Sequence, residues 1–220
     1  MQSKKKEGEK EARRKEKEEL ERQKQAARRC DELAANPTDP KRTVDGVPYE
    51  LLAPQAADAI EACTLALKQL PDEPRLQYQL ARALQANNQR ARAFELHKKL
   101  IQAKYPAAFD NAGWLYVTER KDYVTAVRLF RRGSELGDPD SMVSLAEMID
   151  RGYFIPGSVA DSKLTLLSRA AELGHPGAVR ALQAEEERER RGEQQRAIDR
   201  EQSARMMQFF GRMIQNFPQR

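Results

Sequence analysis

The chain has 220 residues, of which 40% are hydrophobic and 6% aromatic, and alanine and leucine dominate the apolar set. That suffices for one modest core or a short repeat array. The β-branched strand runs that a barrel or a doubly wound sheet needs are missing, which leaves an all-α fold. The formal charge of +5 suggests a nucleic-acid binder until it is located: residues 1–29 hold 12 Lys/Arg against 7 Glu, and the remainder of the chain is neutral.

Residues 1–29 form a charged helical tail or linker. Glu9 to Arg13, Glu11 to Lys15 and Glu18 to Arg22 have the i,i+4 order that supports a solvated helix. Interleaved glutamates make this tail a poor phosphate-binding stripe, which argues against a nucleic-acid partner. Residues 30–73 form lead-in helices around a loop. Asn36-Pro-Thr-Asp-Pro40 stops the first helix, and Pro37, Pro40, Gly46 and Pro48 make residues 36–53 an ordered loop or a mobile linker. A helix from about Pro54 places Ala59, Ile60, Cys63, Leu67 and Leu70 on one stripe before Pro71 and Pro74 end it.

Residues 74–184 carry a repeat. Leu80-Ala81-xx-Leu84 returns as Ala112-Gly113-xx-Tyr116, as Leu145-Ala146-xx-Ile149, and in part around Leu182, at offsets of 32, 33 and 37 residues. Ser134-Glu-Leu-Gly-Asp-Pro139 returns as Ala171-Glu-Leu-Gly-His-Pro176. A period in the thirties with small and apolar positions of this kind marks stacked helical hairpins. Three are expected: 74–86 with 90–103, 107–118 with 122–136, and 140–151 with 160–173, the last with Gly152-Tyr-Phe-Ile-Pro-Gly157 inserted in its turn. The start of a capping helix follows near Gly177. Residues 185–220 leave the stack as a charged stalk ending in an apolar amphipathic segment, in which Met206, Phe209, Phe210, Met213, Ile214 and Phe217 share one helix face. Three readings of that face stand: a capping helix folded back on the repeats, a partner or oligomer contact, and a membrane-surface contact, the last weakened by the lack of a Lys-rich rim.

The chain has no stretch of 18 or more apolar residues, and no apolar segment follows the N-terminal charges, so neither a transmembrane helix nor a signal peptide is expected within it. The compartment is open: cytoplasmic if the chain is complete, bacterial periplasm or envelope if a signal precedes it.

Ala108-xxx-Ala112-Gly113-xx-Tyr116 and Ala170-Ala171-Glu-Leu-Gly174 resemble Sel-one-like repeats, relatives of the tetratricopeptide repeats, over about half of the chain. Ala81 and Ala146 stand where that family has Gly, and Thr118-Glu-Arg-Lys-Asp122 replaces its usual turn. The segment from Cys30 to Pro40, with Gly46-Val-Pro48 and Ala62-Cys63, looks like the lead-in module of alphaproteobacterial repeat proteins. The resemblance implies an α-α superhelix whose first helices line a concave face and which serves as a non-catalytic scaffold or adaptor for a protein or peptide. An alternative it also implies is an accessory repeat segment of a caspase-like peptidase whose catalytic domain is absent here.

On that phasing Arg75, Tyr78 and Arg82, then Asp110 and Trp114, then Val143 and Glu147 line the concave face. Tyr78, Arg82, Asp110, Trp114 and Glu147 are the partner-binding candidates, with Trp114 as an aromatic anchor flanked by charges or, equally, as a packing residue between hairpins. Cys30 and Cys63, the two cysteines of the chain, are either a disulfide tying the lead-in helix to the next helix or two buried thiols, and the even count together with the resemblance leans toward the disulfide.

Chemistry finds little support. His97 and His175 have no second ligand at metal spacing and read as structural, and Gly-x-Ser-x-Gly, phosphate-binding Gly-rich loops and CxxC are all missing. Neither catalytic residues, nor a cofactor, nor a metal is expected.

Overall fold

The computed structural model describes residues 2–153 and 162–215, without the side chains of residues 2–7, 9 and 213–215. Met1, residues 154–161, which include most of the insertion in the third hairpin's turn, and residues 216–220, which include Phe217, lie outside the described residues. All the regular structure among the described residues is helical, so the chain is all-α.

Helix α1 (Gln2–Ala34) is largely exposed to solvent over residues 10–25. Its last turns bury Ala27, Cys30, Leu33 and Ala34, spaced by three and four residues, against α3 and α4. A loop then returns on itself. Val47 N–H donates to Ala35 O at 2.8 Å, and Gly46, at φ +86°, lies so close over Pro37 that a Cβ would come within 2.6 Å of the Pro37 nitrogen. That position admits only glycine. Helix α2 (Tyr49–Leu52) and a 3₁₀ turn (Ala53–Gln55) lead into α3 (Ala56–Gln69), whose Ala59, Cys63 and Ala66 are fully buried. Cys30 and Cys63 are joined by a disulfide with Cα atoms 4.6 Å apart.

The remaining helices alternate along a stack: α4 (Pro74–Ala86), α5 (Arg90–Gln102), α6 (Pro106–Leu115), α7 (Tyr123–Glu135), α8 (Pro139–Asp150), α9 (Lys163–Glu172) and α10 (Pro176–Gln215). Each packs on its sequence neighbours, and α4, α6 and α8 also touch one another in series. The recurring sequence block has a direct physical cause. Lys104, Gly137 and Gly174 adopt left-handed φ values of 57°, 85° and 83°, and the next residue's N–H reaches back five positions, from Tyr105 to Leu100 O, from Asp138 to Gly133 O and from His175 to Ala170 O. This is the Schellman stop, and the proline that follows starts the next helix at its first position. Asp138 and His175 then cap that new helix by accepting from Ser141 N–H and Ala178 N–H.

Gly113, on the repeat's small position, lets α6 and α7 approach: a Cβ there would lie 2.3 Å from the Phe130 ring. The turn after α6 widens into a π turn (Tyr116–Arg120), and Asp122 N–H reaches back six positions to Tyr116 O. One extra residue in this turn accommodates Thr118-Glu-Arg-Lys-Asp122.

Only the beginning of α10 packs, against α9. At 1.5 Å per residue its 40 residues extend about 60 Å, and beyond the stack Ile198, Met206, Met207, Phe209 and Phe210 are 47–74% exposed. The fold-back reading of the apolar segment is therefore overturned. The run Glu185-Glu-Glu-Arg-Glu-Arg-Arg191 offers no apolar side to pack on the repeats, and the described side chains beyond it are almost all exposed.

His97 lies on α5 with no exposed surface and, among the described residues, no hydrogen-bond partner for either ring nitrogen, packed edge-on to Tyr78. Burial depresses its pKa from 6.5 to about 3. The unfolded chain takes up this proton below pH 6.5 and the folded chain does not, so the stability present above that pH is lost as the pH falls, by about 1.4 kcal/mol per unit, until about pH 3. His97→Leu should therefore melt higher than wild type at pH 7.5, and the gap should widen by about 2 to 3 kcal/mol by pH 4.5. Paired melts across that range test this, and a gap independent of pH would refute it.

Candidate functional site, a groove beneath the lead-in loop

A groove of about 550 Å³ runs along the first helices of the hairpins. One wall is built by Arg82 and Gln85 of α4, Asp110, Asn111 and Trp114 of α6, and Asp140 of α8, and His175 and Pro176 close one end. The lead-in segment supplies the other wall through residues 36–38 and 48–50. Arg82, Asp110 and Trp114 thus come together as placed by the i,i+4 and repeat spacing, although their roles differ.

Tyr78 is fully buried and leaves the set of contact residues. Its hydroxyl accepts from Asn36 Nδ2 at 3.1 Å and donates to Asn111 Oδ1 at 2.9 Å, which ties the lead-in loop to α6 through α4. Burial raises its pKa well above the usual phenol value, so it acts only as a neutral hydroxyl. Arg82 is 3% exposed. Its Nη1 donates to Ala34 O and Ala35 O, both at 3.2 Å, and its Nη2 to Val47 O at 2.6 Å. The guanidinium pins both ends of the loop from within and is not a free charge that sets groove polarity. Arg75 is paired with Asp31 behind this layer. Glu147 lies outside the groove lining, paired with Arg151, and Val143 packs into the core of the second and third hairpins.

Trp114 is half-buried. Its ring packs on Phe130 at 5.7 Å between centroids, and its Nε1 donates to Ser144 Oγ at 2.9 Å. Ser144 in turn donates to Asp110 Oδ1 at 2.5 Å. The residue is thus both a packing residue and a wall of the groove. Burial, and then the charges of Asp140 and Asp138, raise the Asp110 pKa well above the usual carboxylate range. Asp138, fully buried beside them, is pushed up to about 7 by burial and then by Asp140. Asp140 differs. Burial alone would raise its pKa, but hydrogen bonds from His175 Nε2 at 3.0 Å, Thr38 Oγ1 at 2.6 Å and Asn36 Nδ2 at 2.8 Å outweigh it and hold the carboxylate below its ordinary value.

Sequence reasoning missed Asn36, Thr38, Tyr49, Asp140 and His175. A signal was present for two of them: Asp140 and His175 both adjoin the helix-starting prolines of the repeated block, where polar side chains face the preceding turn. No group of His, Cys, Asp and Glu among the described residues is arranged to hold a metal ion, and no described helix is long and apolar enough to cross a membrane. Ser144 is hydrogen-bonded to Trp114 and Asp110, and His175 to Asp140 and Ala178 N–H, so no imidazole activates the hydroxyl in this arrangement.

No family model matches the chain, and no curated protein does. Among solved structures the chain is similar to the crystal structure of Sel1 repeat protein from Oxalobacter formigenes, at 17% identity and a TM-score of 0.43. The match covers 60% of this chain and 60% of that one, so the chain spans about three fifths of that structure's length.

Proposed function

We propose that the chain is a non-catalytic protein-interaction module that receives an extended segment of a protein partner in this groove, with Trp114 as its anchor. The observation that carries the reading is the groove itself: a cavity of about 550 Å³ whose walls come from three successive hairpins and the lead-in loop, with a half-buried indole beside several fixed donors and acceptors. A half-buried aromatic among prepositioned polar groups is the usual form of a binding hot spot. Arg82 and Tyr78 hold the walls, and the contacts fall to Trp114, Asp110 and the loop face at Tyr49.

Trp114 is the chain's one tryptophan and therefore reports on the groove. Titration with pools of short extended peptides should shift its emission. Trp114→Ala, followed by polarisation of labelled peptide, should weaken binding by about 30-fold or more, equivalent to about 2 kcal/mol. Trp114→Phe keeps a ring on Phe130 and should melt close to wild type while binding less well. Unchanged binding by Trp114→Ala in a folded protein would refute the reading.

A further inference from the structure

The charges around the groove are unequal. Glu50, Asp110 and Asp140 line it, and the two basic side chains that also line it are engaged: Arg82 by three backbone carbonyls, and His175 as donor to Asp140 and acceptor from Ala178 N–H. Behind this wall Asp138 has no exposed surface, and its Oδ1 has no hydrogen-bond partner among the described residues, so a third acidic group crowds Asp110 and Asp140. An acidic ligand would meet several carboxylates and no uncommitted cation. A neutral ligand would leave this crowding in place and the proton on Asp110, whereas a cation beside Asp110 favours its ionised form.

The carboxylate with room to pair is Asp110. Among the described residues its one hydrogen bond is the Ser144 contact at Oδ1, whereas both oxygens of Asp140 are engaged. Trp114 stands one helical turn further along the same wall, and Tyr49 of the lead-in segment also lines the groove. An acidic side chain one helical turn from an indole, both held by Ser144, suits a planar guanidinium, which can pair with the oxygen and lie against the ring at once, better than it suits the compact and strongly hydrated ammonium of lysine.

We infer that the partner segment bound in this groove presents an arginine side chain, paired with Asp110 and stacked on Trp114. The inference rests on the groove-binding reading above and adds the chemistry of the ligand.

The test uses the full chain and fluorescein-labelled short peptide pools whose central residue is fixed as Arg, Lys, norleucine or Glu in a random background of small residues. The Arg pool should bind at least about tenfold more tightly than the norleucine and Glu pools, with Lys between. Asp110→Asn should remove that preference and keep the melt, while Glu95→Gln on the distant α5 surface should change nothing. Equal binding of the norleucine or Glu pool, still weakened by Trp114→Ala, would overturn the arginine inference and leave the groove reading standing. So would equal binding of the Lys pool, or an Arg preference that persists in Asp110→Asn. Absence of binding by every pool, or binding indifferent to Trp114→Ala, would overturn both.

Discussion

Arg82→Lys should destabilise the fold by about 3 kcal/mol or more, despite keeping the charge. The guanidinium reaches three carbonyls on both ends of the lead-in loop, Ala34 O and Ala35 O on one side and Val47 O on the other. A lysine ammonium is a single point at the end of a flexible stem and cannot span them. At least one buried carbonyl then loses its partner, at about 1 to 3 kcal/mol each, and a charge remains where the native site is 3% exposed. Denaturant melts measure the loss. Limited trypsin digestion locates it, because Lys41 and Arg42 sit in the loop and should be cut faster once it loosens. A variant with native stability and native digestion would mean that Arg82 is not a strut of the lead-in loop.

The second large effect concerns the Cys30–Cys63 bond. The cross-link closes a loop between residues 33 apart in sequence, which constrains the unfolded chain by about 3 to 4 kcal/mol. The double substitution Cys30→Ala, Cys63→Ala should lower stability by about that amount, with a smaller contribution from the cavity left between α1 and α3. Both cysteines have no exposed surface, so a reductant should act slowly on the folded protein and readily in denaturant. The melt should be monitored together with binding to the groove, since the stretch that the bond closes contains residues 36–38 and 48–50 of its wall. A stability change below about 1 kcal/mol would show that the packing of α1 on α3 and α4 suffices without the cross-link.

The helical class was legible because its causes are local. A left-handed stop, a capping side chain and a first-turn proline lie within a few residues of one another, so Gly137-Asp-Pro139 and Gly174-His-Pro176 announce helix boundaries without any knowledge of the fold. Apolar and small residues at helical spacing announced the packed faces in the same way. The π turn at Tyr116–Arg120 was less legible, because one extra residue in a turn changes no periodicity on either side. The path of α10 beyond the stack depended on its charged run, which was visible, but the apolar face after it was compatible with several destinations.

The groove shows where sequence stops. Tyr78, Arg82, Asp110 and Trp114 occupy equivalent-looking positions, on one face of two first helices. Tertiary structure divides them, because the loop after α1 is hydrogen-bonded to Tyr78 and Arg82 of α4 and to Asp140 of α8, and bonds neither Asp110 nor Trp114 among the described residues. Under the loop, Tyr78 and Arg82 must satisfy its buried backbone and amide groups, while Trp114 and Asp110 keep a free side. The all-α class and the period of the hairpins followed from the sequence alone, since hydrogen bonds and side-chain spacing within a few residues determine them. Which residues of the concave face are struts, and which are left to meet a partner, was decided only by the docking of the lead-in segment, a contact between α4 and a loop more than 30 residues before it.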